Sequence, residues 1–478
     1  MITINKTQTT PLYIQVYEAI KNDIFAGTLK SRELLPSTRN LAEELSISRN
    51  TVNTAYAQLL AEGFITAHKG RGFTVNAIMP DIPTLPEPFP VHKKTEVCSD
   101  PALKNISCQV DEPVSCQNVF DYGSIVSCIY PHRAWRRSIS HALDILEIKN
   151  GHLYPPRTGI HELKEAILSY LTKSRGVHCL PEQIVITGGH QYSMEIIANI
   201  FENSSKRFLM EEPGYDGIRQ VFANHHYDIT GIPVEKDGIA TKDLLNYQGD
   251  LLYVTPSHQF PLGVVLPVKK RLELIHWAAQ NNCYLIEDDY VNEIRYRSNP
   301  LPSLQSLDTK NVVIYTGTFS KSLSPDLRIS YIIFPQKLLP AYTQYYFRYH
   351  GQTPALIQYA LADFIRSGEY ARQISRLRIY YKKKQAALCN CITEIFKEKA
   401  VIYGQGAGLH LLLSVDTPLS TSEMIQSAQK QNIVVYPISQ HYLIPENCLK
   451  STVLLGLSCI PTEKYPAVIQ KLYDCWIK

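Results

Sequence analysis

Apolar residues in LYIQVYEAIKNDIFA (residues 12–26) fall at Ile14, Val16, Tyr17, Ile20 and Ile24, close to one face of a helix. The pattern resets in LLPSTRNLAEELSISRNTVNTAYAQLLAEGFI. Ser37 stands where an N-cap belongs, ahead of a helix that turns Leu41, Ala42 and Leu45 inward. The short turn SIS leads to a second cap, Ser48, and to a helix from Arg49 expected to bury Val52, Ala55, Tyr56, Leu59 and Leu60. Two capped helices joined by a tight turn form a helix-turn-helix. FITAHKGRGFTV then supplies two short strands around Lys69-Gly70-Arg71-Gly72, a wing. Residues 77–118 are rich in proline and lack periodicity, which reads as a partly extended linker. From Val119 the period changes again. QIVITGG, RFLMEEPG, DLLYVTPS, CYLIEDD and NVVIYTG are short β-rich runs, each followed by polar residues or glycine, with helical stretches such as VKKRLELIHWAAQNN between some of them. This alternation predicts an α/β domain with a mostly parallel sheet over residues 119–478, after a helix-turn-helix unit at 1–76.

Composition alters this picture little. Of 478 residues, 45% are apolar and 19% charged, as in an ordinary globular protein. A net charge of +4 is too small to indicate a nucleic-acid binder by itself. That reading rests on the second motif helix, whose exposed face begins Arg49, Asn50, Thr51 and Asn53, side chains that bond base edges and phosphates. Eleven cysteines, an odd number, occur without CxxC pairs and without a secretory signal, so reduced thiols and a cytoplasmic location are expected. No apolar run approaches the roughly 18 residues that span a bilayer, so no membrane partner is expected.

In open α/β sheets, ligands collect at the carboxyl ends of the strands. TGGHQYSMEII places Gly188, Gly189, His190 and Gln191 between a strand and a helix, where free amides can cradle a phosphate. YVTPSHQFPLG ends a strand at Thr255 to Gln259, a stretch that includes His258; LIEDDY ends one at Asp288 and Tyr290; YTGTFSK ends one at Thr318, Ser320 and Lys321, with Arg328 seven residues on. Pyridoxal phosphate (PLP) needs such a set: a lysine for an imine, a carboxylate at its ring nitrogen, a donor near its ring oxygen and a phosphate cup with an arginine. Lys321 fits the first role, Asp288 the second and Tyr290 the third. Arg328, Thr318, Ser320 and the Gly189–Gln191 turn fit the phosphate cup, and Tyr215 in EEPGYDG could stack on the ring. Taken singly, each has a plainer reading: a solvated lysine, a helix-capping aspartate, a glycine turn.

LPSTRNLAEELSISRNTVNTAYAQLLAEGFI and GRGF resemble the winged-helix domain of the GntR superfamily. That resemblance implies DNA contacts from Arg39, Arg49, Asn50 and Thr51, with Arg71 in the wing reaching the minor groove or the backbone. YPPRTGIHELKEAI, EEPGYDG, TPSHQFPLG, IEDDYVNEIRY and GTFSKSLSPDLRISYI resemble fold-type I aminotransferases. The combination looks like the MocR (GabR-like) transcription regulators. It implies double-stranded promoter DNA as partner, PLP bound at Lys321, a domain-swapped homodimer, and an effector that is PLP, an amine or an amino acid.

The chain departs from the aminotransferase pattern in one respect. VLLGLSCIP places Cys459 where those enzymes carry an arginine for the substrate carboxylate, and Gly217 stands where amino-acid-sensing relatives carry a basic residue. Either another basic group, such as Arg219, Arg348 or His441, takes over, or the effector lacks that carboxylate. Three functions compete. In a regulator, Lys321 serves sensing rather than turnover. The second is a working aminotransferase with an extra module, against which Cys459 and the recognition-helix character of residues 48–60 count. The third is a cofactor-free interaction protein, against which Lys321, Asp288 and Arg328 count.

Overall fold

The computed structural model describes residues 10–62, 64–68, 72–76, 118–149, 154–291, 293–296 and 301–478. They form two compact units, one within residues 1–112 and one within 113–478.

The first unit contains helices α1 (Leu12–Phe25), α2 (Thr38–Glu44) and α3 (Arg49–Ala61). Both caps are made: Ser37 Oγ accepts from the Asn40 amide and Ser48 Oγ from the Thr51 amide, each at 3.1 Å. Each satisfies a helix-start N–H that has no partner within the helix. Val16 and Ile20 of α1, Leu41 of α2, and Val52, Ala55, Tyr56 and Leu59 of α3 close one core. Leu60 does not join it and is 42% exposed. It lies about 100° around the helix from Leu59, which rotates it off the buried stripe. Strands β1 (Ile65–His68) and β2 (Gly72–Val75) pair antiparallel, as a wing requires. Lys69 and Arg71 lie outside the described residues, as does residues 77–117 of the expected linker.

In the second unit, β3 (Asn118–Val119) pairs with a later strand, and eight strands build the main sheet: β4 (Ile184–Thr187), β5 (Arg207–Glu212), β6 (Asp228–Glu235), β7 (Gly238–Ile239), β8 (Leu251–Val254), β9 (Tyr284–Asp288), β10 (Val313–Thr318) and β11 (Ser330–Ile333). Their order is β4-β11-β10-β9-β8-β5-β6-β7. β10, β9, β8, β5 and β6 are parallel neighbours, while β11 runs against both β10 and β4, so β4 points the same way as β10. The five β-rich runs read from the sequence are β4, β5, β8, β9 and β10. Their pattern is continuous rather than alternating because both faces are covered. Phe208, Met210, Tyr253 and Ile286 pack with Ile197, Ile218 and Phe222 on one face; Leu209, Leu252, Leu285 and Val313 pack with Leu274 and Trp277 on the other. Farther along, β12 (Ala400–Tyr403), β13 (His410–Val415), β15 (Tyr436–Pro437) and β16 (Thr452–Gly456) form an antiparallel sheet, and β14 (Ile433–Val434) is the partner of β3.

Candidate functional sites

The strand directions gather the polar residues. β4, β5, β8, β9 and β10 all end at one edge of the sheet, and β11 begins there because it is antiparallel. The residues after the first five strands and those before β11 therefore share that edge. A cavity opens on it, lined by His190, Gln191, Tyr215, Asp288, Tyr290, Thr318, Ser320, Lys321 and Arg328, and also by Tyr122, Tyr253, Thr255, Phe260 and His410.

Each side chain is held by identifiable contacts. Lys321 Nζ donates to the carbonyls of Tyr122 and Gly123 at 3.1 and 2.9 Å. Burial lowers its pKa, and the nearby Asp121 only partly opposes this, so the neutral amine is favoured relative to a free lysine. Asp288 Oδ2 accepts from the Tyr253 hydroxyl at 2.5 Å and lies 3.2 Å from His190 Nε2. Its other oxygen, Oδ1, is buried without a hydrogen-bond partner. Gly189 caps the helix His190–Ile200 at φ 114°, and a Cβ there would sit 2.3 Å from Arg328 Nη2. Only glycine permits both that backbone and that approach. Arg328 itself has φ 50°, a strained conformation for a residue with a Cβ and one frequent at functional sites. Thr318 Oγ1 donates to Ser320 Oγ at 3.1 Å, and Ser330 Oγ donates to Thr318 Oγ1 at 2.9 Å.

These features fit PLP. A buried carboxylate oxygen with no partner suits a protonated ring nitrogen. A glycine turn with free helix amides and a guanidinium beside it suits a phosphate. A half-buried amine whose pKa is lowered suits the aldehyde. When bound, PLP supplies an electron-withdrawing ring and an electrophilic carbon. Lys321, Asp288 and the Gly189–Arg328 turn are the residues that would anchor and orient it.

A buried charge network stiffens the end of β9. Asp288 faces the cavity, while Glu287 and Asp289 point to the other side, as strand alternation requires. Asp289 Oδ2 accepts from Arg175 Nε and from the Tyr315 hydroxyl, both at 2.6 Å. Glu287 accepts the amides of Leu304 and Gln305 at 2.9 Å, and burial pushes its pKa up to about 7.

Two of the residues singled out in the sequence, His258 and Ser48, make further contacts of their own. His258 is not among the cavity-lining residues. Its ring lodges against the backbone of Gly408, where a Cβ would come within 2.2 Å of Nε2, and its carbonyl accepts the Tyr290 hydroxyl at 3.1 Å. It therefore positions Tyr290, and its ring stands directly behind the cavity wall, 5.5 Å from the ring of His410. Ser48 also caps α3, its hydroxyl 2.8 Å from that of Thr51, and it is exposed together with Arg49, Asn50 and Asn53. Arg39, also exposed, pairs with Glu43 at 3.0 Å. Sequence reasoning missed Tyr122, Tyr253, Phe260 and His410. For Tyr253, period-2 alternation along β8 was an available signal.

Burial, with the neighbouring His410 and Arg295 adding to it, pushes the His258 pKa down to about 3. Unfolded histidine titrates near 6.5, so below that pH the unfolded chain binds the proton and the folded chain does not. Stability from His258 is therefore complete above pH 6.5 and is lost as pH falls. Between pH 7.5 and 5, wild type should lose about 2 kcal/mol relative to His258→Leu, measured by urea denaturation at each pH. A pH-independent difference would overturn this assignment.

Residues 12–75 match the family model of bacterial regulatory proteins of the gntR family, and residues 116–458 match aminotransferase class I and II. The chain is 37% identical to the uncharacterized HTH-type transcriptional regulator YdeL of Bacillus subtilis, covering 99% of this chain and 98% of that protein. It is 32% identical to the probable rhizopine catabolism regulatory protein MocR of Rhizobium meliloti, covering 92% and 89%. It is 29% identical to the pyridoxine biosynthesis transcriptional regulator PdxR of Corynebacterium glutamicum, covering 87% and 86%. The second unit has the fold of the kynurenine aminotransferase of Pyrococcus horikoshii, at TM-score 0.69 and 22% identity over 76% of this chain and 91% of that one. Fold and sequence together define a winged helix-turn-helix joined to a fold-type I aminotransferase-like domain. The chain belongs to the MocR-type, GntR-family transcriptional regulators.

Proposed function

We propose that this regulator binds PLP at Lys321 and uses the loaded cavity to sense PLP itself, an amine or an amino acid, thereby changing the affinity of its winged helices for promoter DNA. The observation that carries the cofactor reading is the convergence on one cavity of a half-buried Lys321, an unpartnered Asp288 Oδ1 and the Gly189–Arg328 cup. The assignment extends to Tyr290, Tyr215, His190, Gln191, Thr318 and Ser320 as further cofactor contacts. On the DNA side it extends to Arg39, Arg49, Asn50, Thr51 and Asn53, with Lys69 and Arg71 in the wing. The DNA unit is assigned residues 1–76, the linker 77–118 and the effector unit 119–478. The working form is a domain-swapped homodimer in the cytoplasm, reading two half-sites at fixed spacing. Cys459, a thiol where a carboxylate-binding arginine is expected, favours sensing over turnover.

A mobility-shift assay on DNA upstream of the protein's own gene, with and without PLP, tests this. PLP should change the affinity at least about fivefold, and Arg49→Ala should weaken binding by roughly 1–3 kcal/mol in both conditions. A PLP-independent shift, together with measurable transamination, would favour the enzyme reading.

A further inference from the structure

We propose that the aromatic end of the cavity is a second ligand subsite, selective for a small amine that carries an aromatic ring and no carboxylate, with His410 as its hydrogen-bond acceptor. This rests on the cofactor reading above and adds the chemical class of the effector.

Tyr122, Phe260 and His410 line this end. Phe260 stands edge-on to His410 at 5.1 Å between ring centroids and tilted against Tyr122 at 6.1 Å. A wall of this kind favours an offset or edge-on ring. The polar group in the wall has a defined role. His410 Nε2 lies 3.0 Å from the Pro261 carbonyl oxygen, which can only accept, so Nε2 carries the proton. Burial holds the ring neutral, with a pKa pushed down to about 4, and Nδ1 keeps its lone pair. That lone pair can accept from an N–H or O–H donor and repels a carboxylate.

The charge around this end agrees. Among the described lining residues the guanidinium is that of Arg328, at the Gly189 turn. Arg219 is committed to the carbonyls of Gln440 and Tyr442 at 2.6 and 3.0 Å. His441 lies 3.0 Å from Asp216. Gly217 could not carry a basic side chain without moving Tyr215, because a Cβ there would sit 2.8 Å from that ring. Cys459 Sγ lies 4.0 Å from Asp121 Oδ2. Burial works against ionisation of Asp121, but hydrogen bonds from Ser124 and the Gly123 amide outweigh it and hold the pKa below the ordinary value. For Asp216, burial is likewise outweighed, by His441 and by the charge of Arg219. The wall of Tyr122, Phe260 and His410 itself offers a carboxylate no cation: Lys384, the amine beside Cys459, is committed to the Ser458 carbonyl at 2.9 Å, and the His410 lone pair repels an anion.

Three probes separate these features: phenethylamine, L-phenylalanine, which adds a carboxylate, and tyramine, which adds a ring hydroxyl. Each is titrated calorimetrically into the full-length, PLP-loaded protein. Phenethylamine should bind at least about tenfold tighter than L-phenylalanine. Tyramine should bind roughly fivefold tighter than phenethylamine, the yield of one net hydrogen bond, and this advantage should vanish in His410→Phe. If that variant fails to fold, the same loss is expected in His410→Leu, and the wild-type amine preference stands as a test on its own. A chain that takes up no PLP overturns the cofactor reading. A chain that takes up PLP yet binds L-phenylalanine as tightly as phenethylamine, or keeps the tyramine advantage without His410, overturns the subsite alone.

Discussion

Asp289→Ala is expected to destabilise the aminotransferase-like unit by about 3–5 kcal/mol, the cost of stripping the counter-charge from a buried ion. The side chains of Arg175 and Asp289 are 1% and 0% exposed, and their contact is 2.6 Å. Burial opposes ionisation of Asp289, but the Arg175 charge outweighs it. Without the carboxylate, the guanidinium keeps Glu287, 3.9 Å away, and the neutral acceptors Leu301 O and Ser257 Oγ at 2.6 and 2.8 Å. The neutral acceptors cannot replace a charge in so buried a site, and Glu287, whose own pKa burial pushes up to about 7, is beyond hydrogen-bond distance. Asp289→Asn, which keeps the shape and one acceptor, should cost less. The double variant Arg175→Met/Asp289→Leu should recover a large part of the loss, because removing both ions also removes both desolvation penalties. Urea denaturation with an unchanged m-value checks the three variants. A change under 1 kcal/mol in Asp289→Ala would show that the pair contributes nothing net. The effect reaches the site, since Asp289 follows Asp288 in the chain, so PLP retention should fall in step with stability.

The sequence exposes the part of this architecture that is encoded locally. A β-rich run with a glycine or polar residue at its end is a short-range signal, and β4, β5, β8, β9 and β10 all carry it. Caps at Ser37 and Ser48 are equally local. From these ends, Lys321, Asp288, Arg328 and the Gly189 turn can be placed at one edge without knowing the strand order. The opposite wall of the cavity cannot be found in this way. Tyr122 comes from just after β3, Phe260 from the turn beyond β8, and His410 from the start of β13, 89 residues or more from Lys321 in the case of the last. Only tertiary packing brings them together. His258 shows a related limit: position at a strand exit says that a residue is near the edge, whereas the path of the turn decides that its carbonyl receives the Tyr290 hydroxyl. Leu60 shows the same limit on a helix, where its hydrophobicity suggested burial and the helical angle left it outside.

Lys321→Ala should cut the retention of PLP through desalting at least ~100-fold, equivalent to about 2.8 kcal/mol, and abolish the near-visible absorption of lysine-bound cofactor. The remaining contacts, Arg328 with the Gly189 turn and the Asp288 carboxylate, can still hold PLP weakly, so the variant separates anchoring from binding. Asp288→Asn tests the other end of the ring. It keeps the size and the Tyr253 contact but removes the charge that the ring nitrogen requires, so affinity should fall while covalent attachment to Lys321 persists. The partial burial of Lys321 sets the pH dependence. Uptake requires the neutral amine, and because burial disfavours the ammonium, the midpoint of uptake should lie below the 10.5 of an ordinary lysine. The decisive readout for regulation is DNA binding. In Lys321→Ala the affinity measured without PLP should match wild type, because the winged helix-turn-helix has its own core of Val16, Ile20, Leu41, Val52 and Leu59. The response to added PLP should disappear. If the variant still responds to PLP as wild type does, the cofactor acts at some place other than this lysine. If it loses DNA binding altogether, Lys321 supports the fold of the regulator rather than its sensing.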